Sequence, residues 1–168
     1  MFFDLDPVAS VSFERVLEVV GWIGEMLDAL GLLGLPKTSG GDGMHIFVPL
    51  APGYSFEEVR AWLGAFIEQL ERRYPGAITS DKRLAAREGK VLIDYSQNAI
   101  GKSIVAPYSV RAKPGAPVST PLRWDEVREG KLRPEDFTIR TVRDRLEQVD
   151  DVFRAICNRA QPLPKLLL

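Results

Sequence analysis

The chain is short of the residues that most often announce a chemistry. It has a single cysteine, Cys157, so no disulfide framework can form within it, which fits a reducing cytoplasm. Lying in a helical pattern, Cys157 reads as a small buried hydrophobe. It has a single histidine, His45. It lacks an excess of either charge: the net value is −1, so there is no global electrostatic footprint for nucleic acid, and any polyanion contact must come from a local patch. No run is apolar enough to span a bilayer, and the start has no signal-peptide pattern, so no membrane partner is expected. Internal repeats and low-complexity tracts are missing too.

What is present suits one globular domain of 168 residues, 45% of them hydrophobic. The chain is organised around its opening, Phe2-Phe3-Asp4-Leu5-Asp6-Pro7. On an extended strand Asp4 and Asp6 share a face, Phe3 and Leu5 turn to the core, and Pro7 ends the ladder. Two neighbouring carboxylates repel unless neutralised, and hard oxygen ligands suit Mg²⁺ or Mn²⁺.

Apolar residues at helical spacing predict a helix from about Ser12 to Leu30, stopped at Gly31. Short strands follow over Leu32–Thr38 and Met44–Leu50, joined by the turn Ser39-Gly40-Gly41-Asp42-Gly43. Ser55 and Glu58 form a capping-box signature for a second helix that Pro75-Gly76 ends. Ala77 to Lys90 reads as a polar loop or short helix, and Val91 to Tyr95 as a strand carrying Asp94. Further on, Tyr108–Arg111 and Phe137–Ile139 read as short strands. Trp124–Glu129 reads as a brief helix, and Thr141–Arg159 as a last one with Ile156 inward. The leucine-rich tail from Gln161 is placed to dock on this domain or another. Strands and helices mix without strict alternation, which predicts an α/β (α+β) fold with a partly antiparallel sheet flanked by helices.

Three clusters hold the polar chemistry. The first is Asp4 and Asp6. The second is the turn, where glycines let backbone N–H groups approach an anion and Ser39 and His45 add donors. A tight hairpin alone would explain the same glycines, and no Gly-Lys-Ser/Thr follows, so it is not a P-loop. The third is Asp94 with Gln97 and Asn98, inside a local basic excess of Lys82, Arg83, Arg87, Lys90, Lys102, Arg111 and Lys113. A solvated face explains such a run equally well. Carboxylates, a glycine-lined cradle and a basic shell together suit nucleotidyl transfer, with two metal ions bridging triphosphate and attacking hydroxyl.

These motifs, with Ala106-Pro107-Tyr108-Ser109-Val110-Arg111, resemble the primase-polymerase domain of DNA ligase D, in the archaeo-eukaryotic primase superfamily. The resemblance implies an RRM-like catalytic half. It implies an enzyme that adds ribonucleotides or deoxyribonucleotides to DNA ends or gapped duplex during non-homologous end joining, using two Mn²⁺ or Mg²⁺ ions. Its partners would be nucleoside triphosphates, DNA, and ligase, nuclease and Ku components. It assigns Asp4, Asp6 and Asp94 to the metals, and Ser39, Gly40, Gly43, His45, Gln97, Lys102 and Arg111 to the nucleotide. It matches Arg87 to a mobile-loop arginine that helps arrange the metal site, and assigns Lys82 and Arg83 beside it as DNA or loop contacts.

Two departures stand out. Asp42 occupies a place where some relatives carry a base. The family's domain also has a substantial portion before its first carboxylate motif, so residues 1–168 read as the C-terminal part of a domain truncated or split at its N-terminus. Two other readings remain open. One is an inactive or partner-dependent nucleotide-binding fragment, needing a separate N-terminal half. The other is a haloacid-dehalogenase-type phosphatase with Asp4 and Asp6 in its nucleophile motif.

Overall fold

The computed structural model describes residues 1–166. Alternation sets the first element. β1 (Phe2–Pro7) buries Phe3 and Leu5 completely on one face and turns Phe2, Asp4 and Asp6 to the other. α1 (Phe13–Ala29) begins where the Ser12 hydroxyl accepts from the Arg15 amide, and stops at Leu30 before Gly31 turns left-handed at φ 68°. β2 (Leu35–Thr38) and β3 (Met44–Phe47) form the glycine-tipped hairpin. α2 (Phe56–Arg73) starts at a complete capping box in which Ser55 and Glu58 satisfy each other's backbone amides.

Next come β4 (Ile78–Thr79), α3 (Leu84–Arg87) and β5 (Val91–Ile93). A single 3₁₀ turn over Tyr95–Gln97 follows, and after a long loop α4 (Trp124–Glu129), α5 (Val142–Val149) and α6 (Arg154–Cys157) complete the chain. The sheet order is β2-β3-β1-β5-β4. β1 pairs antiparallel with both neighbours, and only β4 and β5 run parallel. β1-α1-β2-β3-α2-β5 is thus an RRM-like unit, with β4 added at its edge.

One core holds it together. Val16, Val20 and Ile23 of α1 and Leu63, Phe66 and Ile67 of α2 pack on the face bearing Phe3, Leu5, Met44, Ile46, Val91 and Ile93. That leaves the opposite face, with its carboxylates, free for chemistry.

Several local expectations give way. The last helix breaks in two where Asp150 adopts φ 60°. Ile156 keeps the inward position, and Cys157, in a helix of one turn, is exposed rather than buried. Phe137–Ile139 and Tyr108–Arg111 supply only isolated bridges, Pro117 to Thr138 and Val110 to Val118. The tail docks on this domain: Gln161 Nε2 donates to the carbonyls of Leu33 and Pro49, and the Trp62 indole donates to the Pro164 carbonyl. Its last two leucines lie outside the described residues. No described helix is long and apolar enough to cross a membrane.

Candidate active site

Register brings the polar residues together. Asp4 pairs with His45 across β1 and β3, and His45 with Lys37 across β3 and β2, so the three stand in a row on the open face. His45 Nε2 donates to Asp4 Oδ1 at 3.1 Å. Burial, ahead of any charge effect, holds the His45 pKa below its ordinary value, although the Asp4 bond works the other way. The neutral ring therefore carries its proton on Nε2, and its buried Nδ1 has no partner among the described residues. A phosphate oxygen arriving at Nδ1 meets a donor only once the ring is doubly protonated.

Asp94 follows β5 and lies directly across from Asp4, its amide donating to the Asp4 carbonyl at 2.8 Å. Its carboxylate is fully engaged. Oδ1 accepts from Ser96 Oγ at 2.7 Å, while Oδ2 accepts from Gln97 Nε2 at 2.9 Å and pairs with Lys82 Nζ at 2.8 Å. Burial works to raise the Asp94 pKa, but the bonds from Lys82, Ser96 and Gln97 outweigh it and the net shift is downward. Asp6 behaves oppositely: burial first, then the charge of Asp4, push its pKa up. Arg87 Nη2 reaches the Asp6 carbonyl at 3.3 Å, and its buried Nε lacks a partner among the described residues.

The glycine turn is shaped by what surrounds it. The Ser39 amide donates to the Gly43 carbonyl at 3.0 Å, and the Gly41 amide donates to Ser39 Oγ at 3.1 Å. Gly43 presses against β1 so closely that a Cβ there would sit 2.1 Å from the Leu5 carbonyl oxygen. Gly40, at φ 71°, packs beneath the Arg111 side chain, whose Nη1 donates to the Ser39 carbonyl at 3.0 Å. Arg111 and Lys113 come from a hairpin docked on the β2 edge, where the Thr38 amide donates to Thr120.

These parts line one cleft of about 430 Å³, a volume within the range of small-ligand sites. Asp4, Asp6, Ser39, Gly43, His45, Gln97 and Arg111 all face it, with Lys113 and Asp42 at 3.2 Å from each other on its rim. Of the other nominated residues, Gly40 supports the turn from behind, and Lys102 is exposed and outside the lining while its neighbour Ser103 contributes. Arg83 is tied to Asp81 on the surface, and Lys82 is tied to Asp94. Sequence reasoning missed Lys37, which is fully buried: Nζ donates to Ser119 Oγ and to the Thr38 carbonyl at 3.3 Å. Burial, then the charge of Arg111, lower its pKa to about 7. The strand alternation that placed Asp4 and His45 on one face would have found it, had Lys37 been paired with His45.

The donor set fits a divalent cation. Asp4 and Asp6 offer hard oxygens, and burial, then the charge of Asp4, disfavour the Asp6 anion in the absence of a cation. Among the described residues no three His, Cys, Asp or Glu side chains already form a cage for a metal. Asp94, the third carboxylate nominated from the sequence, is not among the residues lining the cleft, and its Oδ2 is paired with the Lys82 ammonium at 2.8 Å.

The family model for the LigD primase-polymerase domain matches residues 1–153. The chain is 36% identical over 146 residues to the multifunctional non-homologous end joining protein LigD of Pseudomonas aeruginosa, covering 87% of this chain and 17% of that protein. It is 34% identical over 146 residues to the bifunctional non-homologous end joining protein LigD of Bacillus subtilis, covering 86% of this chain and 24% of that one. The structure is similar to the polymerase domain of Mycobacterium tuberculosis ligase D in complex with DNA. The TM-score is 0.87 at 31% identity, across 95% of this chain and 55% of that one. The chain thus spans about a fifth of the length of these curated relatives.

Proposed function

Because the chain belongs to the LigD primase-polymerase domain family, we propose that it is a metal-dependent nucleotidyltransferase that adds ribo- or deoxyribonucleotides to DNA 3′ ends and fills gaps in end-joining repair. The observation that carries this reading is the single cleft in which Asp4 and Asp6 stand beside a glycine turn, His45 and Arg111. Its substrates would be nucleoside triphosphates and a gapped or broken duplex, and its partners the ligase, nuclease and Ku components of the same repair.

Asp4, Asp6 and, once released by Lys82, Asp94 would hold two Mn²⁺ or Mg²⁺ ions. When bound, such ions activate the primer 3′-hydroxyl and stabilise the departing pyrophosphate. The chain's own residues do the rest. Gly41 and Gly43 keep the turn free of side chains, so a triphosphate can lie against the backbone. Arg111, fixed to the Ser39 carbonyl, and Lys113 supply positive charge along the phosphates. His45, hydrogen-bonded to Asp4, holds that carboxylate in its rotamer.

The test is Mn²⁺-dependent primer extension with ribonucleotides on a gapped, 5′-phosphorylated duplex, with and without end-joining partners. Asp94→Ala is expected to abolish extension while the fold is kept, as read by circular dichroism; extension retained by that variant would remove Asp94 from the mechanism. A second reading, a partner-dependent nucleotide-binding chain, is favoured by one observation: the Asp94 carboxylate is already engaged by Lys82, Ser96 and Gln97. Extension appearing only when another polypeptide is added would decide for it. The phosphatase reading is dropped, because β1 lies between two antiparallel neighbours rather than in the parallel sheet that fold requires.

A further inference from the structure

The cleft has a polarity that the catalytic groups alone do not use. The glycine turn meets β1 at Leu5 and Pro7, and Asp4 and Asp6 lie on the same strand face. Phe2 ends that face about 10 Å from Leu5, three residues along an antiparallel strand. Phe2 also lines the cleft. A triphosphate seated on the turn with its inner phosphate at the carboxylates therefore directs its sugar and base toward Phe2.

The ring is held on a rigid support. Asn98, almost fully buried, clamps the Phe2 backbone in both directions: the Phe2 amide donates to Asn98 Oδ1 at 2.9 Å and Asn98 Nδ2 donates to the Phe2 carbonyl at 2.8 Å. Behind it, the Phe47 ring lies 5.9 Å away at 46°, and Phe153 meets Phe47 edge-on at 6.2 Å. Two aromatics directly opposite on the central strands of an RRM-like sheet are the arrangement on which bases stack in that fold. Phe47 is already packed against Phe2, Phe153 and the Lys37 ammonium, whereas Phe2 still borders open space, with Ile104 and Val105 as further apolar lining.

We propose that Phe2 is the stacking platform for the base of the incoming nucleotide, an inference that rests on the polymerase reading above and adds a nucleoside subsite to it. Phosphate contacts would supply the anchor, and Phe2 a sequence-tolerant surface that accepts any base, since every base has a π-face.

Calorimetric binding of ATP and of inorganic tripolyphosphate, with Mn²⁺ present, tests it. Wild-type protein is expected to bind ATP more tightly than tripolyphosphate. Phe2→Ala should weaken ATP roughly 5- to 150-fold and leave tripolyphosphate unchanged, and Phe2→Trp should keep ATP binding. Phe2→Leu, which preserves the packing on Phe47, should melt as wild type yet lose the ATP advantage. An equal loss for both ligands, wild-type ATP affinity in Phe2→Leu, or an effect confined to primer DNA overturns the platform while leaving the polymerase reading intact. Wild-type protein that binds neither ligand overturns that reading, and the platform with it.

Discussion

Replacing Lys37 with methionine should stabilise the protein, and by an amount that depends on pH. Lys37 has no exposed surface, and its ammonium has two acceptors, Ser119 Oγ and the Thr38 carbonyl. Burial holds its pKa down at about 7 in the fold against an ordinary 10.5. Between those values the unfolded chain binds a proton that the folded one does not, so stability rises with pH across that window and is lowest below it. The gap corresponds to about 5 kcal/mol at most. Methionine fills similar volume without a charge. It forfeits two hydrogen bonds, worth about 1 to 3 kcal/mol together. It strands no donor, because Ser119 Oγ still donates to the Thr38 carbonyl at 2.9 Å. The balance at pH 6 is a gain of about 2 kcal/mol or more, shrinking to near zero or reversing by pH 9.5. Urea unfolding at pH 6, 7.5 and 9.5 measures it. A loss of stability at pH 6, or a difference that stays the same at all three values, would refute the argument that desolvation dominates this residue.

Other outcomes follow from the same geometry. Asp6, with its raised pKa, favours the fold at acid pH and loses that contribution as pH rises through its folded value. Asp6→Asn should therefore raise the melting temperature of metal-free protein at pH 7 and abolish the further rise that Mn²⁺ gives wild type, both read by thermal melts. Asp42→Asn frees Lys113 from its 3.2 Å partner at the cleft rim and removes an anion facing the phosphates. It should tighten tripolyphosphate binding several-fold at low salt, with the gain fading as salt screens it. Gly43→Ala forces a Cβ into the Leu5 carbonyl, so the hairpin must move away from β1. A loss of about 3 kcal/mol in urea unfolding is expected, with the nucleotide site lost alongside.

Much of the site was legible because strand alternation is a local rule. Asp4 and Asp6 had to share a face once Phe3 and Leu5 were inward, and His45 had to oppose Met44 and Ile46. Both long helices followed from apolar spacing and from serines at their starts, Ser55 for the second and either Ser10 or Ser12 for the first, where the structure uses Ser12. The failures lie where the signal is too short or too distant. β4 is only two residues long, and pairing with β5 makes it a strand. Thr141–Arg159 keeps its helical pattern through Asp150, yet the chain turns there and Asp151 accepts from the Tyr108 hydroxyl at 2.6 Å. Lys37 looked like any strand lysine until the Thr120 segment covered it.

By itself, then, the order of residues determined which side chains share a strand face and where the long helices begin. Only the tertiary fold decided that Lys82 neutralises Asp94, that Lys37 is sealed away from water, and that Phe2 borders the same cleft as Asp4. Alternation and capping act within a few residues of chain. Burial, charge pairing and cleft shape are set by segments far apart in sequence, and only the closed structure brings those together.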